Sequence, residues 1–156
     1  MVEIQTIILY FFLFIVLFFE VFLLITYLEV CEELNLEGRR LSKPLEQFPT
    51  VTIIVPCFNE ENTVRKTILS LLRLDYPREK LSIIAVDDGS IDKTLRELVK
   101  FKKNNQFSIL SKKNGGKHTA LNLALEKVKS ELVGCLDAYS FVNPDALKKI
   151  VPFFND

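Results

Sequence analysis

Three short stretches carry side chains able to act on a charged, sugar-like ligand: Asp87-Asp88-Gly89-Ser90, Asn114-Gly115-Gly116-Lys117 and Asp137-Ala138-Tyr139. The first sets two carboxylates side by side. Carboxylates accept hydrogen bonds from base N–H or ribose hydroxyl groups but repel bare phosphate, so the pair suits a nucleoside. A turn eased by Gly89, with one aspartate as helix cap, accounts for one of the two equally well. The second stretch opens a helix. Its glycines allow close backbone approach, the helix start offers N–H groups, and Lys117 adds a point charge, which are the parts of a diphosphate site. A glycine turn with a surface lysine is the plain alternative. The stretch matches neither G-x-G-x-x-G nor Walker A, which removes the main support for a dinucleotide oxidoreductase or a P-loop NTPase. Asp137 ends an apolar run as a lone carboxylate, able to serve as a cap, a ribose ligand or half of a metal site. A single histidine, His118, leaves no Ser-His-Asp or Cys-His arrangement to argue.

The elements that must position these residues alternate strand and helix. Residues 51–57, "VTIIVPC", form a short β-branched run of the kind buried on both faces of a sheet. Val64, Ile68, Leu71 and Leu72 then recur at helical spacing, with Asn59 and Asn62 as caps and "DYP" as the stop. A second strand over 81–87 precedes a helix with Leu95, Leu98 and Val99 on one face. A third over 107–110 precedes a helix presenting Leu121, Ala124, Leu125 and Val128. The fourth covers 131–137, and Asn143-Pro144 reads as cap and first-turn proline of a closing helix. Repeated strand and helix pairs with short connections predict an α/β domain with a parallel, doubly wound sheet. Ligands in such sheets bind beyond the carboxyl ends of the strands, where all three stretches fall.

Residues 1–6 form a short leader to an apolar run over 7–28 of about 22 residues, enough to cross a hydrocarbon core of about 30 Å as a helix. The acidic start at Glu3 and the lack of a small-residue cleavage site favour a transmembrane helix over a signal peptide. Glu20 interrupts the run, at a cost of about 2.5 to 3.5 kcal/mol if it faces lipid at mid-helix. Arg39, Arg40 and Lys43 follow the helix and no basic residue precedes it, so the positive-inside rule expects a single-pass protein with its domain in the cytoplasm. Residues 29–48, polar and containing Pro44, read as a juxtamembrane linker to a domain over 49–156. Lysine plus arginine equal aspartate plus glutamate at 20 each, so no overall field draws the chain to nucleic acid. Cys31, Cys57 and Cys135 lack C-x-x-C spacing and read as small buried apolar residues of a reduced compartment.

Taken together, "VTIIVPCFNEENTVRKTILSLLRLDYP", "IIAVDDGSIDKT", "NGGKHTALNLAL" and "LDAYSFVNPDAL" resemble the amino-terminal, donor-binding half of a membrane-bound family 2 glycosyltransferase with the Rossmann-like GT-A fold. The resemblance implies transfer of a sugar from a nucleotide donor, a UDP-sugar above all, to a glycan or lipid acceptor. It implies that Pro56, Phe58 and Glu60 form the first nucleotide-contacting loop, with Phe58 beside the base. Asp88, with Asp87, would contact uracil or ribose, and Lys117 would lie near the diphosphate. Asp137 would be the first aspartate of the D-x-D motif, whose second aspartate coordinates Mn²⁺ or Mg²⁺ in the family. Tyr139 stands in that second position, and a phenol, neutral near pH 7 with one oxygen, is a poor ligand for a hard cation. The general base and the Q-x-x-R-W motif of processive members are expected beyond residue 156, so the chain is expected to be a truncated half, inactive alone. The alternative is a non-catalytic, degenerate nucleotide-sugar-binding protein or subunit.

Overall fold

Val51, Ile53, Ile54 and Val55, β-branched and almost wholly apolar, sit at the centre of a four-stranded sheet in a computed structural model of the chain. The structure describes residues 2–42 and 48–154, with side chains for 3–32 and 48–154. Strands β1 (Val51–Cys57), β2 (Leu81–Asp87), β3 (Phe107–Ser111) and β4 (Leu132–Cys135) run in the order β3-β2-β1-β4, every neighbour parallel. Val51 lies opposite both Leu81 and Leu132, and Cys57 opposite Asp87. The order turns back at β1, where β4 joins on the side away from β2; this reversal opens a crevice at the carboxyl ends of the two strands.

Alternation along β1 divides the core between the two faces. Val51, Ile53, Val55 and Cys57 pack on one face with Val64, Ile68 and Leu71 of α2 (Val64–Leu72) and Leu98 of α3 (Thr94–Val99). Ile54, Ile84 and Val86 face the other side, against Ala120 and Ala124 of α4 (Lys117–Leu125). Tyr76 closes the amino end of the sheet, its ring edge-on to Phe48 and its hydroxyl donating to the Pro49 carbonyl at 2.7 Å. The α/β, doubly wound expectation therefore holds, and β1 and β2 match the expected strands residue for residue.

Several local expectations are corrected. Neither Asn59 nor Asn62 caps α2, which begins after Thr63; Asn59 adopts φ 55°, a left-handed conformation asparagine tolerates, and its Oδ1 accepts from the Ile91 N–H at 3.0 Å. Of Leu95, Leu98 and Val99, only Leu98 is buried; the short α3 turns Thr94 and Leu98 inward, four residues apart on one face. On α4 Ala124 is buried and Leu121 and Val128 pack against the same cluster as expected, but Leu125 is half exposed and Ala120 joins the buried face. The closing helix, α5 (Ala146–Ile150), starts after Asp145, and the Pro144 carbonyl instead accepts from the Asp75 N–H at 2.8 Å. All three cysteines are free, but only Cys57 is buried; Cys135 is exposed on the edge strand.

The amino-terminal unit is a single helix, α1 (Val2–Ser42), continuous through the segments read as leader, membrane span and the first part of the linker. Its stretch Glu3–Glu32, 30 residues, is long and apolar enough to cross a membrane. The side chains along it face outward, and Thr26 Oγ1 donates to the Phe22 carbonyl at 3.0 Å, so this hydroxyl is satisfied within the helix. Lys43 and Pro44 lie outside the described residues.

Candidate functional site

The loops leaving β1 and β2 are laced into one unit. Asn59 N–H donates to Ser90 Oγ at 3.0 Å, Glu60 N–H to Thr94 Oγ1 at 2.7 Å, and Glu61 N–H to Asp92 Oδ2 at 3.1 Å. Lys93 N–H returns the contact to Glu61 Oε2 at 2.9 Å. Each bond crosses between loops that the parallel register of β1 and β2 brings side by side.

Asp88 ties this unit to a third loop, 112–116. Its carboxylate accepts from Lys112 Nζ at 2.5 Å, Gly115 N–H at 3.1 Å and Gly116 N–H at 2.8 Å, while its own N–H donates to the Cys57 carbonyl at 2.9 Å. Burial by itself would raise the Asp88 pKa, but the bonds from Lys112, Gly115 and Gly116 outweigh it and hold the carboxyl below its ordinary value. Lys112 Nζ is spread over three acceptors, reaching also the Lys113 carbonyl at 2.6 Å and Thr119 Oγ1 at 2.8 Å. Gly89 makes the approach possible. At φ +72° a Cβ there would stand 2.6 Å from Asn114 N. Sequence reasoning passed over Lys112, whose place in "SKKN" reads as solvated charge; its one available signal was a position just past a strand end.

The segment after β4 is pinned from below. Thr67, buried in α2, donates through Oγ1 to the Ala138 carbonyl at 2.7 Å, and Ser140 N–H closes a turn on the Asp137 carbonyl at 2.9 Å. Ala138 points into the core, so Asp137 and Tyr139 on either side of it both face outward. Lys117 Nζ forms an ion pair with Asp137 Oδ1, and Tyr139 Oη donates to Asp137 Oδ2 at 3.1 Å. The Lys117 hydrogen bond is the main cause that lowers the Asp137 pKa, and the same bond raises that of Lys117.

Between these loops lies an open cleft of about 500 Å³. Pro56, Phe58, Glu60, Asp88, Lys117 and Asp137 all line it, so six of the seven binding residues expected from sequence meet at one place. Tyr139 lines it too. Asp87 does not; it is buried beneath, its carboxylate accepting from Ser90 N–H and Ser111 Oγ, both at 3.4 Å. Phe58 is 47% exposed at the cleft. Cys57 also borders the cleft, but burial, then the charges of Asp87 and Glu60, push its thiol up to about 12, so it stays protonated and is no nucleophile.

A divalent cation takes about six oxygen ligands, mostly from carboxylates, carbonyls and water. The donor set here does not fit one. Asp137 has one oxygen on Lys117 and the other on Tyr139, Asp88 is held by the 112–116 loop, and Glu60 accepts from Thr63 Oγ1 at 2.5 Å. Among the described residues, no group of three or more His, Cys, Asp or Glu side chains is placed to hold an ion.

Residues 52–156 match the family model for glycosyl transferase family 2. Over 102 residues the chain is 37% identical to a poly-beta-1,6-N-acetyl-D-glucosamine synthase of Staphylococcus epidermidis, a span covering 65% of this chain and 24% of that protein. The homologous synthase of Staphylococcus aureus strain MSSA476 is 36% identical over 103 residues, with the same coverage. The chain thus spans about a quarter of the length of the curated relatives it matches. Among solved structures, the mannosyltransferase PcManGT of Pyrobaculum calidifontis, in complex with GDP-Man and Mn²⁺, superposes with a TM-score of 0.65 at 29% identity, over 77% of this chain and 38% of that one. TarS of S. aureus in complex with UDP-GlcNAc superposes with a TM-score of 0.61 at 27% identity, over 68% of this chain and 31% of that one.

Proposed function

The chain belongs to glycosyltransferase family 2, and from that premise we propose that it is the membrane-anchored, donor-binding half of an enzyme that transfers a sugar from a UDP-sugar to a growing glycan or lipid acceptor. The observation that carries this reading is the convergence of an aromatic side chain (Phe58), a carboxylate (Asp88) and a lysine (Lys117) on one cleft at the carboxyl ends of β1, β2 and β4. Phe58 stacks beside the base. Asp88, held in place by Lys112 and the Gly115 and Gly116 N–H groups, borders the ribose and base. Pro56 and Glu60 shape the loop beneath the nucleoside, and Asp87 supports it from the sheet. Lys117 faces the diphosphate, and Asp137 the ribose and the donor sugar. A UDP-sugar is favoured because S. aureus TarS, of the same fold, is seen with UDP-GlcNAc.

In the intact reaction the acceptor hydroxyl oxygen bonds to the anomeric carbon as the bond from that carbon to the diphosphate oxygen breaks on the opposite face. The nucleoside diphosphate leaves with the electron pair, the hydroxyl proton passes to a carboxylate base on the acceptor side, and the configuration inverts. The proposed organisation is a leader (1–6), a single transmembrane helix (7–28), a juxtamembrane segment (29–48) and a cytoplasmic donor domain (49–156); Arg39, Arg40 and Lys43 after the apolar run support that orientation. Tyr139 favours a second reading, a non-catalytic nucleotide-sugar binder. Calorimetry on the full chain in detergent tests the donor assignment. UDP should bind saturably and more tightly than GDP, and Phe58→Ala should weaken it by about tenfold, equivalent to about 1.4 kcal/mol. Equal affinity for UDP and GDP that is insensitive to Phe58→Ala would remove the reading.

A further inference from the structure

Asp137, Lys117 and Tyr139 form a closed unit. The aspartate's negative charge is matched by the lysine, and the phenol adds a hydrogen bond without charge, so the cluster is formally neutral. An incoming divalent cation would have to displace the Lys117 ammonium from Oδ1 or share one carboxylate with it, and gains no net attraction from a neutral cluster. Of the other carboxylates lining the cleft, Asp88 holds Lys112 and the glycine N–H groups, and Glu60 accepts from Thr63 Oγ1 through Oε2. The cation already present is well placed. Lys117 is the first residue of α4, so its ammonium stands with the helix-start N–H groups that favour an anion. Asp137, itself held by the Tyr139 hydroxyl, fixes it, on a segment anchored by the bond from Thr67 to Ala138.

We infer that this cleft holds a nucleoside diphosphate without a divalent cation, the Lys117 ammonium, oriented by Asp137 and Tyr139, supplying the positive charge. This rests on the donor-site reading above and specifies its chemistry: the ligand is the metal-free nucleoside diphosphate, and Tyr139 is the residue that excludes the ion. Tyr139→Asp adds a second carboxylate, leaves the cluster net negative and should create a site that prefers the ion.

The test is calorimetry of UDP with the full chain in detergent, in EDTA and in saturating Mn²⁺, alongside manganese electron paramagnetic resonance. The wild-type chain should bind UDP with dissociation constants agreeing within about twofold between the two conditions. It should take up no more Mn²⁺ than UDP alone does in solution. Lys117→Met should weaken UDP binding by about tenfold in both conditions, and Tyr139→Asp should gain about tenfold in Mn²⁺ over EDTA. Tyr139 is 59% exposed and supports no core, so the substitution leaves the fold intact; the wild-type resonance measurement, which needs no variant, stands independently. UDP binding by the wild-type chain only in Mn²⁺, or tighter there by tenfold or more, overturns the inference while leaving the donor site in place. Absence of UDP binding in both conditions overturns the donor-site reading and the inference with it.

Discussion

The Lys112 ammonium lies 2.5 Å from Asp88 Oδ1, and through this contact the loop after β3 is held against the loop after β2. Asp88 is buried and Lys112 mostly so; Asp88 also accepts from Gly115 and Gly116 N–H, and Lys112 also donates to the Lys113 carbonyl and Thr119 Oγ1. Asp88→Asn keeps the shape but removes the charge, leaving the ammonium without its counter-ion. It should destabilise the domain by about 1.5 to 3 kcal/mol, the usual worth of a hydrogen bond to a charged group. Urea unfolding of the two proteins measures this directly, and a loss below about 0.5 kcal/mol would mean that the loop is held some other way.

The same carboxylate gives the domain an acid sensitivity. Because the folded Asp88 pKa lies below its ordinary value of 3.8, its contribution is fully present above that value. The contribution is lost as pH falls below 3.8 and through the lower folded value. Wild-type and Asp88→Asn unfolding free energies should therefore differ at neutral pH and converge in acid. A gap that stays constant into strong acid would show that Asp88 is not the titrating group.

Gly89 is expected to tolerate no side chain. Its φ of +72° strains any L-residue, and an added Cβ would lie 2.6 Å from Asn114 N and 3.2 Å from the Lys112 carbonyl, both backbone atoms. Gly89→Ala should push the 112–116 loop away from Asp88 and cost about 1 to 3 kcal/mol of stability. UDP affinity should fall with it, since Gly116 and Asn114 line the cleft. Unchanged UDP affinity in this variant would separate the loop from the ligand.

Glu20 is the one acidic or basic residue within 7–28 and its side chain is exposed on α1. If α1 spans the bilayer, Glu20→Leu should favour insertion by about 3 kcal/mol. A translocon insertion assay with glycosylation reporters on each flank reads the change. Equal insertion of the two sequences would place Glu20 outside the hydrocarbon.

The parts legible in the sequence were those dictated by continuous hydrophobic runs. Residues 51–57 and 81–87 are apolar nearly throughout, and β1 and β2 begin and end where those runs do. The motifs fall at strand ends, which makes six of the cleft residues legible in the sequence. What remained hidden depends on cross-loop partners. Asn59 looks like a cap until Ile91, 32 positions away, takes its side chain. Lys112 looks solvated until Asp88, 24 positions away, is folded beneath it. On α4 the expected Leu121, Ala124 and Val128 do meet the core, whereas Leu125 faces away and Ala120, small enough to sit against the sheet, takes part although its hydrophobic signal is weak.

Photolabelling with a 5-azido-uridine diphosphate sugar, followed by peptide mapping, asks most directly whether the cleft between Phe58, Lys117 and Asp137 is the donor site. Labelling should concentrate on the peptide that carries Phe58 and disappear when unlabelled UDP competes. A second cleft, of about 420 Å³, lies near Lys80 and Gln106 at the opposite ends of the strands and provides an internal control. Labelling there, or labelling that UDP fails to suppress, would contradict the assignment.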